Sequence, residues 1–455
     1  MQIFDTVAAV STPRGKGGIA VIRISGAGTG AVLERVFRAA KKAQNSPRTA
    51  IYGEIVDGDG RVLDQGLVTF FAAPHSFTGE DVAEISCHGG VLLTEQVLCA
   101  VLAAGARLAE AGEFTRRAVM NGKMKLSSAE ALGALLEAKT TGQLSLARGG
   151  MRGRLAVKLE DAFARLSRLL ADVYAKIDFP DEDLNSMSRE ELTAALQALC
   201  EELRALAATY RTGHAVAEGI RTVICGPVNA GKSTLYNAIV GREAAIVTDI
   251  AGTTRDLLCE TAALGQVTLR LTDTAGLRET NDTVEGIGVA RARAALEEAE
   301  LIFCVLNASL DADAEIRELL FDLKQKSATT VLILNQCDRG DRFPVELLEG
   351  FTHVVRLSAA TGDIAPLCEE VEQLYLSEGL DLGEDAIVAN ARQHAALIRA
   401  AEAISRSVKA LLLDVPLDAA CVDAELAMQF LGEVDGRAVD ESILSDIFAN
   451  FCVGK

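Results

Sequence analysis

Apolar and polar positions follow three different rhythms along the chain. Up to about residue 118, short runs rich in β-branched and small apolar residues (TVAAVST, IAVIRIS, AIYGEIV, GLVTFFAA and VAEISC) end at Gly, Pro or Asp, the pattern of strands. In the same stretch VLLTEQVLCAVLAAG and AVLERVFRAA repeat apolar residues at helical spacing. The mixture predicts an α+β domain over 1–118. DGDG at 57–60 starts like a calcium loop but lacks the glutamate that closes one, so a hairpin turn is expected there.

From 119 to 217 the rhythm lengthens to the helical period, as in SSAEALGALLEAK and REELTAALQALCEELRALAATY. It returns over 379–455 in ARQHAALIRAAEAISRSVKALLL and ESILSDIFANF. Two helical stretches on either side of a different block predict the two halves of one all-α domain. The block between them, 218–378, alternates the apolar strands RTVICG, VTLRLTD, LIFCVLNA, TTVLILN and HVVRLSA with amphipathic helices. That alternation predicts a parallel sheet with crossover helices, an α/β domain inserted into the helical one.

Composition adds limits to this picture. The 455 residues leave room for several cores. With 49% hydrophobic and 24% charged residues the chain reads as globular. No apolar run approaches the ~20 residues of a membrane helix, and MQIFDT carries an aspartate where a secretory leader needs positive charge. A cytoplasmic location with no membrane association is the expectation. The ten cysteines form no CxxC pair, which excludes a zinc cluster or a disulfide framework; Cys99, Cys225 and Cys304 lie in apolar runs and are expected to be buried. A net charge of -19 argues against nonspecific nucleic-acid binding. One basic stretch stands out, in which Lys139, Arg148, Arg152, Arg154, Lys158, Arg165 and Arg168 meet only Glu160 and Asp161. A solvated helix face and an RNA contact are both open readings of it.

The inserted block carries the chemistry. GPVNAGKS at 226–233 follows a strand and precedes a helix, the setting in which backbone N–H groups of Asn229, Ala230 and Gly231 cradle phosphates. Lys232 then neutralises the terminal phosphates, Ser233 can hold Mg2+, and Thr234 follows in the helix. DTAG at Asp273, Thr274, Ala275 and Gly276 ends the strand VTLRLTD; Asp273 suits a magnesium contact and Gly276 can offer its N–H to a γ-phosphate. Leu277 stands where Ras-like proteins use glutamine. NQCD supplies Asn335, Gln336, Cys337 and Asp338, and only a carboxylate accepts from both guanine N1–H and the N2 amino group, so Asp338 selects GTP over ATP. Asn335 would brace the loop, and Ser358, Ala359 and Ala360 form a loop suited to the guanine carbonyl. With TDIAGTTRD at 248–256, these motifs identify a Ras-like guanine-nucleotide domain.

The flanks narrow this further. STPRGKGGIAVIRISG at 11–26, SFTGEDVAEISCHGG at 76–90, AGEFTRRAVMNGKMKLSSAEAL at 111–132, IDFPDED at 177–183, the NAGKST and TDIAGTTRD loops and the terminal FCVGK resemble the MnmE (TrmE) family of bacterial tRNA modification GTPases over essentially the whole chain. A ribosome-assembly GTPase is the alternative, but the sequence has one P-loop and no KH-type GxxG segment after it. The resemblance implies a homodimer joined by an N-terminal domain that binds 5-formyl- or 5,10-methylene-tetrahydrofolate. It also implies a heterotetramer with the FAD protein MnmG (GidA), which places an aminomethyl or carboxymethylaminomethyl group on C5 of wobble uridine 34 of certain tRNAs.

Carried over position by position, the resemblance gives the folate to Arg23, Glu80, Lys123 and Lys455. Each has an ordinary alternative: Arg23 could pair with a surface carboxylate and Glu80 could cap the turn before DVAEI. It gives K+ to Asn229, Thr248, Ile250 and Thr253, Mg2+ to Ser233 and Thr254, and nucleotide contact to Asp249, Ala251 and Gly252 of the same loop. Glu285 matches the catalytic acid that orients water in place of the missing glutamine. The chain departs from the family at Val228, where proline is usual, and at Gln336, where lysine is usual. FCVGK fails as a prenylation box at Gly454 and Lys455. It is expected instead to present the thiol of Cys452, with Phe448 and Phe451 anchoring the last helix and Gly454 permitting close approach.

Overall fold

The computed structural model describes residues 5–13, 15–179, 187–242, 259–272, 295–436, 447–449, 451 and 454. By backbone packing the chain forms two units, 1–133 with 435–455 and 134–434.

In the first unit β1 (Val7–Val10), β2 (Ile19–Ser25), β3 (Phe37–Arg38), β4 (Ala50–Val56), β5 (Val62–Phe71), β6 (Val82–His88) and β7 (Arg107–Leu108) form one sheet in the order β3-β4-β5-β6-β2-β1-β7. Neighbours run antiparallel except β1 with β7. The two-residue period of a strand turns Ile22 and Ile24 inward, where they meet Ile55, Val68 and Ile85 from the sheet and Val32, Val36, Val97 and Val101 from the helices Thr29–Val36 and Val91–Ala103. The run AVLERVFRAA is not helical throughout. Its helix stops at Val36, and Phe37 and Arg38 pair with Ile55 and Glu54 as an edge strand, so cross-strand pairing overrides helical spacing. DGDG does form a hairpin turn: Asp57 Oδ1 accepts from the N–H groups of Asp59 at 3.0 Å and Arg61 at 2.9 Å.

In the second unit the helices Arg154–Asp178, Arg189–Ala208, Ala391–Leu412 and Leu417–Asp435 share a core of Leu159, Leu166, Leu196, Leu203, Leu397, Ile404 and Leu431. The helical runs that flank the central block in sequence therefore meet in space. Their starts are fixed locally, with Ser188 and Glu191 closing a capping box and Asn390 accepting from Gln393 N.

The central block holds β8 (Ile220–Cys225), β9 (Cys259–Leu264), β10 (Val267–Thr272), β11 (Leu301–Asn307), β12 (Thr329–Asn335) and β13 (His353–Arg356) in the order β13-β12-β11-β8-β10-β9. All neighbours are parallel except β9 with β10. The almost wholly buried LIFCVLN of β11 is what a parallel strand covered on both faces needs. β9, CETAAL, lies outside the predicted strands because it has little β-branched character; it forms where Gly265, at φ 62°, folds it back onto β10. Both ends of the block are tied at Thr212, whose Oγ1 donates to Tyr375 O at 3.0 Å and accepts from Ser377 N at 2.9 Å. The α+β, all-α and inserted α/β parts expected from the sequence are all present. Among the described residues no helix is long and apolar enough to cross a membrane.

Candidate functional site

Strand order in the six-stranded sheet reverses at β8, which lies between β10 and β11. Ligands of open α/β sheets bind outside the carboxyl ends of strands at such a reversal, and that is where the loop 226–231 stands. Three residues in it have left-handed backbones, Gly226 at φ 135°, Asn229 at 61° and Gly231 at 98°. A Cβ on Gly226 would collide with Val305 O, and one on Gly231 with Asn335 Nδ2, so both glycines are required by close approach. The helix Lys232–Arg242 follows, with Ser233 and Thr234 exposed in its first turn. Lys232 Nζ donates to Gly226 O at 2.9 Å and Pro227 O at 2.8 Å, which ties its ammonium to the loop. Burial pushes that ammonium below the usual lysine range, against the opposing influence of the Cys225 and Cys304 thiols nearby.

Asn335, at the end of β12 and 2% exposed, joins the loops. Its Nδ2 donates to Ala230 O at 2.8 Å while its Oδ1 accepts from Ala359 N at 2.8 Å. The bracing role expected of it is thus met with two bonds to two different loops. Gln336, at φ 62°, donates through Nε2 to Asn229 O at 3.2 Å, and its Oε1 accepts from Asn307 Nδ2 at 3.2 Å and Arg339 NH1 at 3.1 Å. Gln336 therefore also contacts the 226–231 loop. Cys337, Asp338 and Arg339 make one 3-10 turn with Asp338 exposed. Ser358, Ala359 and Ala360 start the neighbouring turn; Ser358 Oγ is buried and has no partner. Thr248, Asp249, Ile250, Ala251, Gly252, Thr253, Thr254, Asp273, Thr274, Ala275, Gly276 and Glu285 lie outside the described residues.

A second cluster lies within the first unit. Arg23 is bound by Glu84 on β6, at 2.8 Å from NH2, and its guanidinium lies 5.6 Å from the Phe77 ring centroid and 5.7 Å from that of Phe114. Arg23 thus has a carboxylate partner, as its ordinary alternative requires, though Glu84 is half-buried. Glu80 reaches across the unit instead of capping a turn: its Oε2 accepts from Ser25 Oγ at 2.7 Å and from Arg117 NH1 at 3.1 Å. Lys123 Nζ donates to Pro74 O at 2.9 Å, and its stem packs 3.0 Å from where a Gly79 Cβ would stand.

Arg117 was not among the sequence-derived site residues, yet it is the hub. It is 4% exposed and binds Asp5, Glu80 and Glu113, while Arg107 binds Asp5 and Glu113 from the other side. Burial alone would raise the Glu113 carboxyl; hydrogen bonds from Arg107, Glu110 N and Arg117 outweigh it and hold the group below its usual range. Asp5 behaves likewise, with Arg107 and Arg117 outweighing a smaller burial. The signal in the sequence is the spacing of Glu113 and Arg117, four apart on one helix turn.

The C-terminal segment belongs to the same unit. Phe448, 1% exposed, packs on Leu126 and Ala129, and its ring centroid is 5.2 Å from that of Phe451. Gly454, at φ 99°, lies so close to Val10 O that a Cβ would collide, and its own carbonyl accepts from Ser11 Oγ at 2.9 Å. The phenylalanines anchor the segment as expected, but Gly454 is buried against Val10 and Ser11 instead of standing on a free end; Cys452 and Lys455 lie outside the described residues.

Two expectations need correction. Cys99 is exposed and Cys225 half-buried, and only Cys304 of the three is buried, because Cys99 sits on the outer face of its helix. The basic stretch does not face Glu160 and Asp161 alone: Arg152 and Arg154 bind Glu384, and Arg165 binds Glu202 as well as Asp161. Sequence proximity hid those carboxylates because they come from distant parts of the chain.

Comparison with known proteins agrees with this layout. Residues 6–123 match the family model for the GTP-binding protein TrmE N-terminus, and residues 126–452 match that of the MnmE helical domain. Relatives named tRNA modification GTPase MnmE include that of Lactococcus lactis subsp. cremoris (strain MG1363), 37% identical over 100% of this chain and 99% of its own. Those of Shouchella clausii (strain KSM-K16) and Bacillus licheniformis are 38% and 40% identical, each over 99% of this chain and over 99% and 100% of their own.

Proposed function

The chain belongs to the family of tRNA modification GTPases MnmE, and on that footing we propose that it binds and hydrolyses GTP in the course of modifying tRNA. The observation that carries the reading is Asn335, which links the phosphate loop at Ala230 to the 358–360 loop at Ala359. Phosphate-holding and base-reading elements are thereby parts of one rigid assembly. In this reading the backbone from Asn229 to Thr234 and the ammonium of Lys232 take the phosphates. Asp338 reads the guanine edge, and the unpartnered Ser358 Oγ adds a polar group beside the base loop.

The exposed Ser233 hydroxyl at the start of its helix is a hard oxygen donor of the type Mg2+ takes. Ser233 and Thr254 would hold Mg2+, and Asn229, Thr248, Ile250 and Thr253 would hold K+; such cations would supply charge that offsets what develops on the phosphoryl oxygens. Asp273, Thr274, Ala275 and Gly276 are assigned to the terminal phosphate, and Asp249, Ala251 and Gly252 to the same nucleotide. Glu285 orients the attacking water, a task the side chain of Leu277 cannot perform.

The proposal extends to the first unit. Arg23, Glu80, Lys123 and Lys455 bind a 5-formyl- or 5,10-methylene-tetrahydrofolate, with Arg23 and Lys123 supplying cations for its carboxylates and Phe77 an aromatic face. Cys452 is the thiol delivered to that site. The protein works as a cytoplasmic homodimer, with MnmG as partner and C5 of wobble uridine 34 as the atom modified.

Mass analysis of the wobble uridine in tRNA from cells lacking the protein tests the reading. Loss of the C5 substituent is expected. An unchanged uridine would overturn the tRNA assignment. Hydrolysis by the purified protein in K+ and in Na+ tests the cation, with equal rates counting against it.

A further inference from the structure

We propose that Cys225 and Cys304 are a thiol pair that peroxide closes into a reversible disulfide, and that closing it weakens nucleotide binding at the phosphate loop. The proposal deepens the GTPase reading and rests on 226–233 being that loop.

Three observations carry it. Cys225 and Cys304 are register partners on the parallel neighbours β8 and β11. Their side chains lie on the same face of the sheet, since Cys225 packs against the cluster that contains Cys304, Ile302 and Leu306. Both thiols are free, and Cys225 lies near enough to raise the Cys304 thiol above its usual range. Two other thiols point at backbone carbonyls instead, Cys200 at Ala401 O and Cys337 at Leu334 O. Adjacent strands stand about 4.8 Å apart, within the Cα separation that disulfides span.

Exposure sets the order of events. Cys225 is half-buried and Cys304 wholly buried, so the oxidant reaches Cys225 first. The Cys225 sulfur attacks a peroxide oxygen; the O–O bond breaks, an alcohol or water leaves, and Cys225 becomes a sulfenic acid. The Cys304 sulfur then attacks the Cys225 sulfur, the S–S bond forms, the S–O bond breaks and water departs with the Cys304 proton. Two electrons pass from the thiols to the peroxide. The Cys225 thiol beside it and burial both raise Cys304 well above the usual thiol range, which keeps it protonated and leaves the first attack on peroxide to Cys225.

The consequence for the loop follows from position. Cys225 is the last residue of β8, and Gly226, next to it, already lies against Val305, next to Cys304, with no room for a Cβ. A disulfide needs its Cβ atoms about 3.8 Å apart, roughly 1 Å closer than the strand spacing. Closing it pulls the root of the loop toward β11 and displaces the Gly226 and Pro227 carbonyls that hold Lys232. A bond formed under such strain is readily reduced, so the change is reversible.

The test uses the full-length protein and hydrogen peroxide. After mild oxidation and blocking of free thiols, mass spectrometry of a non-reduced digest should find the peptides of Cys225 and Cys304 joined. Affinity for a fluorescent guanine nucleotide should fall about tenfold or more and return with dithiothreitol. Cys304→Ala should keep its affinity through the same treatment; Cys225→Ala serves if that variant folds poorly. The idea fails if peroxide that oxidises the exposed Cys99 leaves the pair unjoined. It fails too if Cys304→Ala loses affinity as the parent does. A reduced parent protein that binds no guanine nucleotide would instead overturn the phosphate-loop reading, whatever the digest contains.

Discussion

Asn335 holds Ala230 through a 2.8 Å bond across 105 residues of sequence, fastening the loop that follows β12 to the loop that follows β8. Removing the amide should therefore injure both. Asn335→Ala leaves Ala359 N and Ala230 O without their partner in a site that is 2% exposed, a loss of about 1–3 kcal/mol for a buried unpaired group. Urea unfolding should register that loss, and nucleotide titration should register weaker binding of GDP and GTP alike.

Gly231 tests the same junction from the other side. Gly231→Ala places a methyl group against Asn335 Nδ2 at φ 98°, so nucleotide binding should be lost. Gly362 offers a control, since at φ 74° nothing lies within 4 Å of its added Cβ. Gly362→Ala should cost only the left-handed strain of about 1–2 kcal/mol and keep affinity, as isothermal titration would verify.

Guanine selection is expected to reside in Asp338. Asp338→Asn should lower the efficiency of GTP hydrolysis by roughly a hundredfold or more and raise that of xanthosine triphosphate, since the exchanged amide matches the altered base edge. Unchanged use of GTP in steady-state assays would refute the assignment.

The Arg117 cluster predicts an acid limit to stability. Glu113 and Asp5 have carboxyls held below their ordinary values of 4.5 and 3.8, so folding gains from them above those values and loses that gain as pH falls through the lowered ones. Chemical denaturation should show stability falling in the acid range below 4.5. Glu113→Gln should flatten that limb, and near neutral pH should be less stable by about 3–5 kcal/mol because Arg117 is left buried without a full set of partners.

Phe448 anchors the C-terminal segment, and truncating it should loosen the tail before anything else. Phe448→Ala is expected to lower stability by about 3–5 kcal/mol. Cys452→Ser, by contrast, should leave stability and GTP hydrolysis near normal while abolishing wobble-uridine modification, measured by nucleoside mass analysis in a deletion strain.

The loops after β8 and β12 were legible in the sequence because GPVNAGKS and NQCD each place turn-forming residues directly after an apolar strand. The long helices were legible as well, since twenty residues of one period leave little ambiguity in REELTAALQALCEELRALAA. What escaped depends on contacts that spacing does not encode. β9 exists only because β10 is there to pair with it. Glu384, distant in sequence, pairs with both Arg152 and Arg154. Arg117 looks like any helical arginine until Asp5, Glu80 and Glu113 surround it.

The shared helical core has a consequence for how the chain acquires its shape during synthesis. Cys200 Sγ meets Ala401 O across 201 residues, and at roughly 5–20 residues per second a ribosome needs on the order of 10–40 s to deliver the second partner after the first. Throughout that interval the apolar face of Arg189–Ala208 lacks its mate, while the central block, whose strands lie between 220 and 356, emerges complete. The nucleotide domain can thus mature on the ribosome before the helical frame that surrounds it in sequence closes. Chaperone demand should accordingly peak before Ala391–Leu412 leaves the exit tunnel.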